Sequence, residues 1–186
     1  MILYINACVR EDSRTKRLAE HLLSRLDGEV KEVRLIDTSF PKADADFIKK
    51  RDKLIYEKNF SDPLFSAARD FAIADTIVIA APFWDLSFPA ALKQYIEQIN
   101  VVGITFYYTK EGFPCGLCKA KKLYYITTAG GKIYNEDYGY GYIKALSNEL
   151  YGIKDTVLFK AEELDIDGAD VETILISAEN QINGAL

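Results

Sequence analysis

The chain has 186 residues, with 23 Lys and Arg against 28 Asp and Glu for a net charge of −5, one His and three Cys. Such a length suits one domain with a core large enough to fold without staples, so residues 1–186 read as a single domain. The mild acidity speaks against a nucleic-acid binder, and the lone His against most zinc sites and any triad that needs a spare imidazole.

Three Cys cannot pair completely, and no signal-peptide pattern precedes the first strand-like run, so a reducing cytoplasm is expected. The longest strongly apolar run, Ala72 to Phe83, is too short to span a membrane and is broken by Asp75. Met1 to Ala7 reads as a buried strand. Ser13 caps a helix whose Leu18, His21, Leu22, Arg25 and Leu26 keep helical spacing, closed by Asp27-Gly28. Val30 to Ile36 alternates as a second, less buried strand. Phe40 to Asn59 is charged and reads as a weakly amphipathic helix or lid. Asp62-Pro63 opens a helix through Ala72.

Asp75 to Ala81 is β-branched and apolar on both parities, the pattern of a central parallel strand. Pro82 ends it, and Pro89 opens the helix Ala90 to Ile99. The stretch before Lys122 reads as loop. Lys122 to Thr128 is a fourth strand, stopped by Gly130-Gly131, and Tyr142 to Tyr151 a helix stopped by Gly152. Thr156 to Ala161 and Val171 to Ile182 are the last strand and helix. This alternation predicts an α/β fold of three layers: a doubly wound, five-stranded parallel sheet in the flavodoxin-like order 2-1-3-4-5.

In such a sheet ligands bind outside the carboxyl ends of the strands, which singles out three loops. Ser13, Arg14 and Thr15 start a helix inside a segment, Arg10 to Arg17, that carries four basic and two acidic residues. Hydroxyls, free N–H groups and a positive helix end suit a phosphate, although a plain Ser cap with a solvated charge run explains the same residues. Pro82 to Pro89 holds the only Trp and two Phe, which suit a flat conjugated ligand by stacking. One of Trp84 and Phe88 is expected to pack on the neighbouring helix instead. Thr127 to Gly131 offers paired glycines whose amides can approach a ligand closely, or simply a turn. Neither GxGxxG nor GxxxxGK[ST] occurs, which disfavours a dinucleotide-binding Rossmann fold and a nucleotide triphosphatase.

Two segments, APFWDLSFPAALKQYIEQI (Ala81 to Ile99) followed by GITFYYT, and GLCKAKKLYYITTAGG (Gly116 to Gly131), resemble the flavodoxin-like NAD(P)H:quinone oxidoreductases and FMN-dependent azoreductases. The resemblance extends over essentially the whole chain and implies bound FMN, NADH or NADPH as electron donor, and a homodimer with the flavin near its interface. By position it implies that Ser13, Arg14 and Thr15 hold the FMN phosphate. Pro82, Phe83, Trp84, Asp85 and Leu86 would wrap the ring, and Thr128, Ala129, Gly130 and Gly131 would line its other edge. Asp85 stands where the family usually has Asn, and Ala7-Cys8 where relatives often have Ser. The implied activity is two-electron transfer from nicotinamide through the flavin to a small-molecule quinone, azo or similar acceptor, with no dedicated acid, base or metal.

Two other readings stay open: a flavin-binding regulatory or sensor subunit, and an electron-carrier flavodoxin, which is usually more acidic. His21 belongs to a helix pattern and is expected to face solvent. Cys115-Gly-Leu-Cys118 reads as a redox dithiol, as half a metal site, or as neither. It lacks the flanking strand and helix of a thioredoxin motif, and Cys8 is the only further Cys. Tyr134, Tyr138, Tyr140 and Tyr142 would wall an acceptor pocket or an interface, or pack.

Overall fold

A computed structural model describes all of residues 1–186. Five strands form one parallel sheet: β1 (Ile2–Asn6), β2 (Val30–Arg34), β3 (Thr76–Ala80), β6 (Lys122–Thr128) and β7 (Asp155–Ala161), in the order β2-β1-β3-β6-β7. Numbered among themselves, these strands run 2-1-3-4-5, as the alternation of the sequence predicts. The pairing starts nearly flush, with Ile2 opposite both Val30 and Thr76, Thr76 opposite Lys122, and Lys122 opposite Asp155. The carboxyl ends therefore lie together along one edge.

Strand alternation sends neighbouring residues to opposite faces, and each face is covered by its own helices. Ile2, Tyr4, Val78, Tyr124 and Ile126 pack with Leu18 and Leu22 of α1 (Arg14–Leu23) and with Leu175, Ala178 and Ile182 of α6 (Val171–Ala185). Leu3, Ile5, Ile77, Ile79, Leu123 and Tyr125 pack with Phe71 of α3 (Ser66–Ile73) and Leu92, Tyr95, Ile96 and Ile99 of α4 (Ala90–Ile99). β2 is an edge strand and mostly exposed, which is why its sequence alternates weakly.

Two elements differ from the sequence reading, the end of α1 and the stretch before β6, while the Phe40–Asn59 segment holds the helix that one of its two readings expects. α1 stops at Leu23 rather than Leu26, because the Ser24 hydroxyl donates to the His21 carbonyl at 2.8 Å and closes the last turn. The Phe40–Asn59 segment contains a helix, α2 (Ala45–Tyr56), capped by Asp44, with Leu54 buried against Phe65, Ala68 and Val101. The stretch read as loop holds an antiparallel hairpin, β4 (Phe106–Tyr108) and β5 (Pro114–Gly116). Helix α5 (Tyr142–Leu146) is flanked by two wider π turns, Asp137–Gly141 and Ser147–Tyr151, and the second of these ends at Gly152 with φ +76°. That stop needs a left-handed residue, and glycine supplies it without strain.

Candidate functional site

A cleft of about 210 Å³ opens at the carboxyl ends of β1, β3, β6 and β7. Nine residues expected at a site line it: Ser13, Arg14 and Thr15 from one loop, Pro82, Phe83 and Trp84 from the second, Thr128, Ala129 and Gly130 from the third. Asp85, Leu86 and Gly131 do not. No residue of the Phe40–Asn59 segment reaches it either.

The loop after β1 turns on Asn6, whose side-chain oxygen accepts from the Cys8 N–H at 2.9 Å while its amide donates to Glu32 at 2.8 Å. This brings the chain round to Ser13, which caps α1 by accepting from the Lys16 N–H at 3.3 Å. The N–H groups of Ser13, Arg14 and Thr15 have no acceptor in the protein. They are the unsatisfied donors of a helix start, where the macrodipole is positive. Thr15 turns its hydroxyl to that of Thr128, 2.6 Å away. Burial pushes the Cys8 thiol up to about 11, so it serves here as a packed side chain.

The loop after β3 continues the ladder briefly, with the Phe83 N–H donating to the Thr128 carbonyl at 3.0 Å. Trp84 and Ser87 then exchange two backbone hydrogen bonds, 3.0 and 2.7 Å, around Asp85 (φ +50°) and Leu86 (φ +66°). A two-residue turn with both central residues left-handed is the primed type that favours Asn or Asp first. Asp85 therefore fits for a backbone reason, while Leu86 holds a conformation costly for its type. Ser87 fastens the turn by donating to the Tyr138 carbonyl. Phe88 packs on Tyr142 with ring centroids 5.9 Å apart, while Trp84, 41% exposed, joins Phe83 in lining the cleft.

In the third loop the two glycines do different work. A Cβ at Gly130 would lie 2.3 Å from Asp165 Oδ2, whereas one at Gly131 would meet open space. Of the two glycines expected at a ligand wall, Gly130 lines the cleft and Gly131 does not. Neither N–H has an acceptor in the protein. The loop after β7 closes this end: Leu164 and Asp165 donate to the carbonyls of Ala129 (3.2 Å) and Gly130 (2.9 Å), and both line the cleft. Asp165 also pairs with Arg14 at 2.6 Å.

Val9, Asp12, Leu164 and Asp165 are cleft residues that the sequence reading missed, and Arg10, noticed only for its charge, is a fifth. The loop after the fifth strand ends on the same sheet edge, so the rule that named three loops applied to it as well.

The remaining candidates fall away from the cleft. His21 meets Asn183 at 2.9 Å between α1 and α6. Tyr140 donates to the Thr156 carbonyl at 2.9 Å, while Tyr134 and Tyr138 are exposed. The Leu117 N–H donates to the Thr105 carbonyl at 2.9 Å, so the chain from Cys115 runs on extended past β5. Three extended steps separate the Cα atoms of Cys115 and Cys118 by roughly 10 Å, beyond the ~7 Å reach of a disulfide. Cys118 instead contacts the Thr105 carbonyl at 3.5 Å, and burial pushes its thiol up to about 12.

The donor set fits a ligand with an anionic tail and a flat conjugated head. Acceptor-free amides at the start of α1 suit a phosphate, and Pro82, Phe83 and Trp84 form an apolar wall opposite the free amide of Gly130.

Comparison with known proteins gives the same picture. Residues 1–184 match the family described as having a flavodoxin-like fold. An FMN-dependent NADH:quinone oxidoreductase of Clostridium beijerinckii is 36% identical over 186 aligned residues, covering 95% of this chain and 93% of that protein. A crystal structure of an azoreductase from Bacillus anthracis superposes with a TM-score of 0.85 at 23% identity, covering 99% of this chain and 97% of that one. An FMN-dependent NADH-azoreductase from the same species, in complex with FMN, gives a TM-score of 0.81 at 25% identity, covering 99% and 96%.

Proposed function

The chain belongs to the flavodoxin-like fold family, and on that footing we infer that it is an FMN-dependent NADH oxidoreductase that reduces quinone or azo acceptors. One observation carries the reading: the acceptor-free start of α1 and the Phe83–Trp84 wall line a single cleft at the sheet's switch edge. When bound, FMN supplies the ring that accepts a hydride from NADH and gives two electrons to the acceptor.

The protein's part is binding and electrostatics. The N–H groups of Ser13, Arg14 and Thr15 hold the phosphate, with the Ser13 hydroxyl beside them. Pro82, Phe83 and Trp84 form the apolar wall for the ring. The primed turn at Asp85 and Leu86 keeps Trp84 in place and leaves their own two amides free. Thr128, held by Thr15, fixes the opposite edge, where the Gly130 N–H is available to negative charge on the cofactor. The Gly131 carbonyl accepts from the Glu163 N–H at 3.1 Å, tying the loop after β6 to the one after β7. The titratable side chains of the cleft are two arginines, Arg10 and Arg14, and two carboxylates, Asp12 and Asp165.

The reading extends to one FMN-binding domain over residues 1–186 that works as a cytoplasmic homodimer. Trp84 on the cleft wall, Leu86 on the turn after it, and Tyr107, Tyr108 and Phe113 on the hairpin are large apolar side chains left exposed, which supports a partner surface. Three free thiols suit a reducing compartment, and no helix is long and apolar enough to cross a membrane.

The purified protein should be yellow, release FMN on denaturation, and oxidise NADH in the presence of a quinone. A colourless protein that takes up no FMN would overturn the reading. Bound FMN without turnover would favour a regulatory subunit or an electron carrier, and light scattering of the holoprotein tests the dimer.

A further inference from the structure

The first loop carries four cations, and the fold distributes them unequally. Arg17 is drawn to α6, where it meets Glu172 at 2.7 Å and Glu179 at 2.8 Å, and these carboxylates raise its pKa further. Lys16 lies 3.6 Å from Glu20, one turn along its own helix. Arg14 gives one guanidinium nitrogen to Asp165 at 2.6 Å and to the Leu164 carbonyl at 3.2 Å. Arg10 alone has neither a carboxylate nor a hydrogen-bond partner, and it lines the cleft.

The partner of Arg14 is itself held firmly. Asp165 donates its N–H to the Gly130 carbonyl at 2.9 Å, and its carboxylate fills the space that a side chain at position 130 would need. An exposed pair of this kind adds little to folding, so its effect lies in where it puts the guanidinium and in the charge it cancels. The cleft's two arginines and two carboxylates sum to no net charge, but Arg14–Asp165 is the only ion pair among them. A dianionic phosphate therefore finds one unpaired cation, Arg10, while the second carboxylate, Asp12, lines the cleft without pairing to it.

We propose that Arg10 is the side chain by which this protein distinguishes a phosphorylated flavin from a neutral one, and that Asp165 is a positioning residue that withholds Arg14 from that task. The proposal rests on the FMN reading and deepens it. A charge-assisted hydrogen bond to phosphate is stronger than a neutral one, and guanidinium is matched to it in shape. The backbone amides of α1 bind any anion that arrives, while Arg10 supplies the charge that a ribityl hydroxyl cannot exploit.

The test compares FMN with riboflavin, which lacks the phosphate. The full chain, stripped of flavin, is titrated with each by flavin fluorescence at low and high salt, with circular dichroism as the check on folding. Arg10→Gln should weaken FMN binding by about tenfold or more, flatten its salt dependence and leave riboflavin unchanged, with Arg10→Lys in between. Arg14→Gln should leave the FMN-to-riboflavin ratio near that of the parent. Asp165→Asn should raise the ratio by releasing Arg14. An unchanged ratio in Arg10→Gln, a selective loss in Arg14→Gln instead, or a parent protein that binds both flavins equally would each overturn the proposal while leaving FMN binding intact. A parent protein that binds neither flavin would overturn the FMN reading beneath it.

Discussion

The hydroxyls of Thr15 and Thr128 meet at 2.6 Å in the buried floor of the cleft and tie the first turn of α1 to the last residue of β6. One helix end and one strand end, 113 residues apart, are thereby set against each other through a single pair of oxygens. Replacing one partner leaves the other hydroxyl buried and unpaired, whereas replacing both removes the need for a partner. Thr15→Val and Thr128→Val should each cost about 1–3 kcal/mol in urea unfolding. The double variant should cost clearly less than their sum. Strict additivity would show that the pair does not hold the two elements together.

The strand order and the cleft's position were legible because they depend on coarse signals. Ile77 to Ala80 is apolar on both parities, and Pro82 and Pro89 bracket the aromatic loop. The sorting of charges was not legible. Arg14 and Asp165 are 151 residues apart, and only the close packing of the loops after β6 and β7 reveals that one neutralises the other. The different roles of Gly130 and Gly131 follow from the same contact. The hairpin was missed because strands of three residues are too short to show alternation. Its cue was the aromatic Phe106 to Tyr108 followed by a Gly and a Pro.

Gly116 on that hairpin lies against the end of the Asp137–Tyr151 helical segment. A Cβ there would stand 2.2 Å from the Tyr151 carbonyl carbon and oxygen and 2.3 Å from the Gly152 nitrogen, all backbone atoms that cannot rotate away. Gly116→Ala should therefore destabilise by about 1–3 kcal/mol or more, the usual range for overpacking a tight contact. The neighbouring Leu117→Ala, on a side chain 44% exposed, should cost less. Comparable urea midpoints for the two variants would mean that the hairpin moves freely on the helix.

Asp75 joins three elements at the other end of the sheet, accepting from Lys119 and from the terminal ammonium of Met1, both at 2.6 Å. Lys119 first, and then the terminus, lower its pKa from the usual 3.8 to about 2. A depressed carboxylate stabilises the fold above its unfolded pKa, and that contribution is lost as the pH falls through the folded value. Thermal midpoints of the parent should thus decline between 3.8 and about 2 more steeply than those of Asp75→Asn. Parallel declines would rule out this carboxylate as a source of the acid sensitivity. High salt should narrow the difference, because the pair is exposed.

The three thiols should differ in reactivity. Burial pushes Cys8 up to about 11 and Cys118 up to about 12, so at pH 8 about a thousandth or less of each is thiolate. Cys115 is half-buried on β5, opposite Tyr107. A thiol reagent added to the native protein should modify one group readily and the other two only on unfolding, with Cys115→Ser removing the fast phase. Two thiols reacting together, or an intramolecular disulfide under mild oxidant, would contradict the extended path from Cys115 to Cys118.

Asp85 offers a way to separate charge from backbone. Its φ of +50° is one that Asn adopts as readily, so Asp85→Asn should keep the turn and the exchange of hydrogen bonds between Trp84 and Ser87. What changes is a negative charge immediately after the cleft residue Trp84. A carboxylate there disfavours added negative charge on a bound flavin, and removing it should raise the reduction potential of the FMN-loaded protein. For a two-electron couple 30 mV corresponds to ~1.4 kcal/mol. An exposed carboxylate is partly screened, so a rise of about 10–30 mV is expected, shrinking with salt. Dye-coupled redox titration of the two proteins measures it. A potential that falls, or that shifts equally in Asp85→Ala, where the turn loses its favoured residue, would assign the effect to the backbone instead of the charge.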